Sequence, residues 1–105
     1  MDKKQNLIRE LRLFKNRLSK ERKIEKMILF GSRSKKKHRK DSDVDLIVVS
    51  LSFKGIKCGR GKGLYKYWRL NYPVDFICYT PEEYRKKSKQ ISIVSEAIKN
   101  GIEIN

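Results

Sequence analysis

Ile28-Leu29-Phe30-Gly31-Ser32-Arg33, a basic connection, and then Asp41-Ser42-Asp43-Val44-Asp45-Leu46-Ile47-Val48-Val49 form the stretch on which the reading of this chain turns. A short apolar run ends in Gly-Ser, and a second apolar run opens with Asp-x-Asp. Both runs have the length and the β-branched, aliphatic composition of buried strands. Gly31 has no side chain, so its backbone can approach a phosphate closely, and Ser32 adds a hydroxyl donor. A helix starting at Ser32 would point free N–H groups and its dipole at the same anion. Residues two apart on a strand face the same way, so Asp43 and Asp45 would present two carboxylates about 7 Å apart along the backbone. Such an oxygen set suits Mg²⁺, which is commonly held by one or two carboxylates together with substrate phosphates. A strand–turn–strand with a merely charged rim explains the pattern less well, because packing does not call for two aspartates at the head of an apolar strand.

The spacing is what makes this stretch specific. Gly31-Ser32, the ten residues 33–42 and Asp43-Val44-Asp45 resemble the signature of the minimal nucleotidyltransferases (MNT), within the superfamily that includes DNA polymerase beta. The resemblance implies nucleotidyl transfer, in which a hydroxyl attacks the α-phosphorus of a triphosphate and pyrophosphate leaves. It implies two Mg²⁺ ions at Asp43 and Asp45, ATP as the nucleotide substrate, and contacts from Gly31, Ser32 and Arg33 to the β- and γ-phosphates. It also implies a third aspartate on a neighbouring strand. Asp75, in Val74-Asp75-Phe76 near the start of an apolar run, fits that context and would ligate the acceptor-side ion. Asp43, Asp45 and Asp75 are therefore the catalytic and metal-binding candidates. Minimal nucleotidyltransferases of this kind work beside a helical HEPN protein, as the antitoxin of a toxin–antitoxin pair. The implied acceptor is then a tyrosine hydroxyl of that partner. A non-catalytic module that only sequesters its partner is the second expectation, and a nucleic-acid-binding or nucleic-acid-extending protein the third.

With 105 residues, one domain with a single modest core is expected, without a separate acceptor domain. Apolar runs of only about four residues exclude a membrane span, which needs roughly 18, so a cytoplasmic protein is expected. Two cysteines give neither a zinc site nor a disulfide framework, and Cys78 reads as a small hydrophobe in a strand. The formal charge of +15 is uneven: residues 33–40 and 54–69 each carry six Lys or Arg and no acid, whereas from residue 70 onward five bases and five acids cancel. Polyphosphate, nucleic acid or an acidic protein could answer that excess, and self-association is left open. In the loop 35–40 a mostly solvated basic run is expected, with His38 in water.

Along the chain, Asp2-Lys3-Lys4-Gln5 has the form of a capping box, and Leu7, Leu11, Phe14 and Leu18 recur at helical spacing, predicting a helix over 3–21 with Leu13 off its apolar stripe. Lys26–Phe30, Val44–Val49 and residues 73–79 read as strands, with a short helix over 32–37 and a short last strand at 102–104. Glycines 55, 59, 61 and 63 lie in a stretch without apolar period, which predicts a mobile loop or a poorly anchored helix start. Residues 64–69 read as a helix whose aromatics pack on the sheet rather than stack on bases. Thr80-Pro81-Glu82-Glu83 opens another helix, and a further one runs over 91–100 with Ile91, Val94 and Ile98 on one face and Gly101 as its stop. The fold expected is α/β (α+β), a small mixed sheet with helices packed over one face.

Overall fold

The chain is described here from a computed structural model covering residues 3–31 and 44–105. The apolar stripe of the first helix, α1 (Lys3–Ser19), does what its spacing predicts: Leu7, Leu11, Phe14 and Leu18 are all buried and Leu13 is left at the surface. Asp2, the expected cap, and the expected helix over 32–37 lie outside the described residues. Below α1 is a four-stranded mixed sheet built from β1 (Lys26–Phe30), β2 (Val44–Val49), β3 (Val74–Tyr79) and β4 (Ile102–Glu103), in the order β3-β2-β1-β4. β1 runs antiparallel to both β2 and β4, and β2 runs parallel to β3.

Strand alternation divides the apolar residues between two faces. Met27, Leu29, Val44, Leu46, Val48 and Val74 join the stripe of α1 in the larger core, together with Phe53, Leu64 and Ile104. Ile28, Ile47 and Val49 face the other way, onto Val94 and Ala97. Those two belong to α4 (Ile93–Asn100), which follows α3 (Pro81–Ser88). Helices therefore cover both faces of the sheet, which corrects the expectation of one. The reason is legible in the strands: Met27-Ile28-Leu29 and Leu46-Ile47-Val48-Val49 are apolar at consecutive positions, and such a run needs cover on both sides.

The connection from β2 to β3 also departs from expectation. Instead of a mobile loop, it is fastened at several points. Ser50, fully buried, donates its hydroxyl to the Lys23 carbonyl at 2.6 Å and accepts the Ser52 N–H, and Phe53 drops into the core from a single 3₁₀ turn. Arg60 forks onto Glu83, with donor–acceptor distances of 2.6 and 3.3 Å, and donates to the Cys78 and Ile56 carbonyls. The apolar period is missing because side-chain hydrogen bonds, not a hydrophobic stripe, hold this segment. The helix expected over 64–69 shrinks to α2 (Lys62–Tyr65). Its aromatics pack as predicted: Trp68 meets the Phe14 ring edge-on at 5.0 Å, and Tyr65 meets Phe76 edge-on at 4.9 Å.

This same segment shields an edge of the sheet. The Pro73 and Tyr79 carbonyls accept from Val44 and Ser50, so the alternate carbonyls of β3 point away from β2. Two of those are taken by the Tyr65 hydroxyl, on Val74 at 3.1 Å, and by Arg60, on Cys78 at 3.1 Å. Covering an edge in this way removes a template for pairing with other chains.

The capping box of α3 is complete, with Thr80 accepting the Glu83 N–H and Glu83 accepting the Thr80 N–H at 2.8 Å. α4 starts later than predicted, because Ser92 caps it by accepting the Ser95 N–H. Ile91 therefore stands outside the helix, fully exposed, and Val94 and Ala97 carry the buried face while Ile98 stays half exposed. The helix does stop at Gly101, where the backbone turns extended, and only glycine fits there: a Cβ would lie 2.8 Å from the Leu29 carbonyl oxygen and 2.9 Å from Ile28 Cγ2.

Candidate active site

The parallel register of β2 and β3 sets Asp45 directly opposite Asp75. Register partners on neighbouring strands point to the same face, and adjacent strands lie about 4.8 Å apart. Asp45 alternates with Leu46, and Asp75 with Val74 and Phe76, all of which face the α1 core. Both carboxylates consequently stand on the opposite face, the one that α3 and α4 cover further along the sheet. They sit at the heads of their strands, where Asp75 is exposed and Asp45 half-buried. Two residues distant in sequence are thereby brought side by side, on neighbouring strands as the resemblance implies.

Antiparallel pairing of β1 with β2 delivers the third component. Phe30 is the register partner of Asp45, so Gly31, the next residue, arrives beside that carboxylate. Gly31 has φ +77°, and a Cβ built on it would collide with Asp45 Oδ2. Glycine is required twice over here, by a left-handed backbone and by the carboxylate lying against it. The sequence indicated only the approach to phosphate; contact with Asp45 is a second duty that only the strand register reveals.

Asp43, Ser32 and Arg33, along with the loop 35–40 and His38, lie outside the described residues. Of the three expected metal ligands, the described residues contain Asp45 and Asp75. Among the described residues no cluster of three or more His, Cys, Asp or Glu side chains that could hold a metal occurs. What the described residues do provide fits a hard divalent cation: two register-matched carboxylates at a rim, with a side-chain-free backbone turn against one of them.

Away from this rim, other described groups are strongly perturbed. Arg60 holds the Glu83 carboxyl down at about 2, helped by the Thr80 N–H, and burial pushes the Cys78 thiol up to about 11. Burial also raises Tyr79, and a hydrogen bond to Glu21 raises Tyr67. Arg60 was missed as an organising residue. Its signal was a single arginine among glycines, upstream of a capping glutamate with oxygens to spare.

A strand pair bearing register-matched aspartates, fed by a Gly-turn from an antiparallel neighbour, defines a class of α+β domain built to bring carboxylates to a sheet rim. The nucleotidyltransferase domain family matches residues 11–100, and the chain belongs to that family; it is a nucleotidyltransferase. The fold is also similar to the crystal structure of a candidate nucleotidyltransferase from Sulfolobus solfataricus, with TM-score 0.63 and 20% identity over 79% of this chain and 75% of that one. Comparison with curated proteins finds no match. Nucleotidyltransferase domains generally use a nucleoside triphosphate and a divalent metal. Among the described residues no helix is long and apolar enough to cross a membrane.

Proposed function

We propose that this nucleotidyltransferase moves AMP from ATP to a tyrosine hydroxyl of a helical HEPN-type partner protein, acting as the antitoxin of that pair. The observation that carries the catalytic part is the Asp45–Asp75 register match, with Gly31 seated against Asp45. The protein acceptor rests on the resemblance of Gly31-Ser32, ten residues and Asp43-Val44-Asp45 to the minimal nucleotidyltransferases.

In this reading Asp43, Asp45 and Asp75 hold two Mg²⁺ ions, which supply charge neutralisation on the triphosphate and a lowered pKa for the acceptor hydroxyl. The chain's own groups do the rest. Gly31, Ser32 and Arg33 bind and orient the β- and γ-phosphates, so that the α-phosphorus faces the acceptor. Asp75, exposed at the rim, lies where an acceptor arriving from solvent can meet it, and accepts the proton of the hydroxyl as the new O–P bond forms and pyrophosphate departs.

Intact-mass spectrometry of the partner, co-expressed and incubated with each nucleoside triphosphate and MgCl₂, tests the proposal. One AMP adduct per modified tyrosine is expected with ATP, and none with Asp45→Asn. No adduct from protein shown to bind ATP would refute the transfer, and adducts on the partner from another triphosphate would refute the choice of ATP.

A further inference from the structure

The end of the sheet remote from the aspartates carries a second charged feature. Val49 closes β2 four residues beyond Asp45, about 13 Å along the strand, and pairs there with Lys26 and Tyr79. Two segments meet at this end: the turn 20–25 between α1 and β1, and residues 51–63 after β2. Ser50 ties them by its bond to the Lys23 carbonyl, the Leu51 N–H donates to Glu25 at 3.1 Å, and the Arg22 guanidinium lies over the Phe53 ring and 3.2 Å from where a Cβ on Gly63 would stand. The two segments hold seven Lys or Arg against two carboxylates. Both carboxylates are engaged: Glu25 by that backbone N–H and Glu21 by Lys66 and Tyr67. Arg60 is spent on Glu83.

Five lysines remain, Lys20, Lys23, Lys54, Lys57 and Lys62. All five are exposed, and none forms an ion pair among the described residues. The tip between them is bare, since a Cβ on Gly55 would meet nothing within 4 Å. We infer that this pole is a sequence-independent docking surface for the phosphate backbone of a nucleic acid, separate from the transfer site. Protein partners are met through aromatic and arginine anchors, with lysine depleted. Here the cations with neither an ion pair nor a ring contact among the described residues are the five lysines, the aromatic ring of the patch, Phe53, is buried, and its exposed apolar side chains, Leu51 and Ile56, are aliphatic. Free lysines spread over two tethered segments can each reach a different phosphate, which is how backbone binding is built.

The test is fluorescence anisotropy with labelled oligouridylate and oligothymidylate over a salt series, on the full chain. Five phosphate contacts predict a log–log salt slope of about −3.5. The triple change K54Q/K57Q/K62Q should flatten the slope by about 2 and weaken binding about tenfold or more at low salt. Circular dichroism on both variants confirms the fold. The control K86Q/K87Q/K89Q, which removes equal charge from exposed lysines of α3 and its C-cap, should leave the slope nearly unchanged. An unchanged slope in the first variant, or an equal loss in the control, overturns the inference. So does tighter binding to phosphatidylserine vesicles than to either oligonucleotide. Nucleotide transfer is unaffected by the first variant, so failure here and failure of the transfer reading are distinguishable.

Discussion

Replacing Gly31 by alanine separates two demands that the site makes of one residue. The first is conformational. At φ +77° an L-residue is in the left-handed region, at a cost of roughly 1–2 kcal/mol. Part of that is offset because alanine also narrows the unfolded ensemble by about 0.4–1 kcal/mol. A net loss of about 1 kcal/mol lowers the melting temperature by roughly 4–8 °C for a domain of this size. The second demand is steric, because the new Cβ would overlap Asp45 Oδ2, and the carboxylate must swing away. A displacement near 1 Å at a reacting centre costs about a hundredfold in rate. Gly55 provides the matching control: its φ is +86°, and its Cβ would meet nothing within 4 Å. Gly55→Ala should therefore melt lower by a similar margin with full transfer activity, while Gly31→Ala loses activity by about a hundredfold. Differential scanning fluorimetry and pyrophosphate release measure the two effects. Equal activity in both variants would refute the placement of Gly31 against a working carboxylate.

Asp75→Asn should leave the melting temperature almost unchanged, since an exposed rim side chain contributes within about 0.5 kcal/mol, yet reduce transfer by more than about a hundredfold; a stable, active Asp75→Asn protein would remove it from the site. The Glu83 carboxyl falls from 4.5 to about 2 on folding, chiefly through its hydrogen bonds from Arg60. Its contribution to stability is thus complete above pH 4.5 and is lost as pH falls through about 2. Glu83→Gln should unfold in acid with a shallower dependence over that window, followed by circular dichroism. Phe14→Ala should cost about 3–5 kcal/mol and shift the emission of Trp68, the only tryptophan, whose indole packs edge-on against that ring. With iodoacetamide at neutral pH the folded protein should take one label, at exposed Cys58, and a second at Cys78 only on unfolding, because burial holds that thiol near 11.

Much of the fold could be read from local patterns. The α1 stripe, the three longer strands, the Thr80 capping box and the Gly101 stop are each written in a few adjacent residues, and the structure places them where those residues indicate. What escaped depends on partners far away in the sequence. Consecutive apolar residues in β1 and β2 signalled cover on both faces, but only the sheet order shows that α4 provides it. Ser92 outcompetes Ile91 for the start of α4 because a hydroxyl that satisfies an orphan N–H sets a helix boundary more firmly than one apolar residue in register. The connection after β2 looked loose because its anchors, Ser50 to Lys23 and Arg60 to Glu83, span about twenty residues or more and leave no period. For the site, the motif put Gly31 and Asp45 in one stretch and the resemblance put Asp75 on a neighbouring strand; the β2–β3 register sets Asp75 opposite Asp45. The motif could not show that Gly31 touches Asp45, a consequence of the β1–β2 register.

In the proposed function, the heads of β2 and β3 hold a divalent metal for nucleotidyl transfer. Crystals grown with Mn²⁺ and a non-hydrolysable ATP analogue test it through anomalous scattering from the manganese. A peak coordinated by Asp45 with Asp75 beside it is expected, with the triphosphate reaching the turn at Gly31. A bound triphosphate with no manganese at these carboxylates, or manganese held elsewhere, would contradict it.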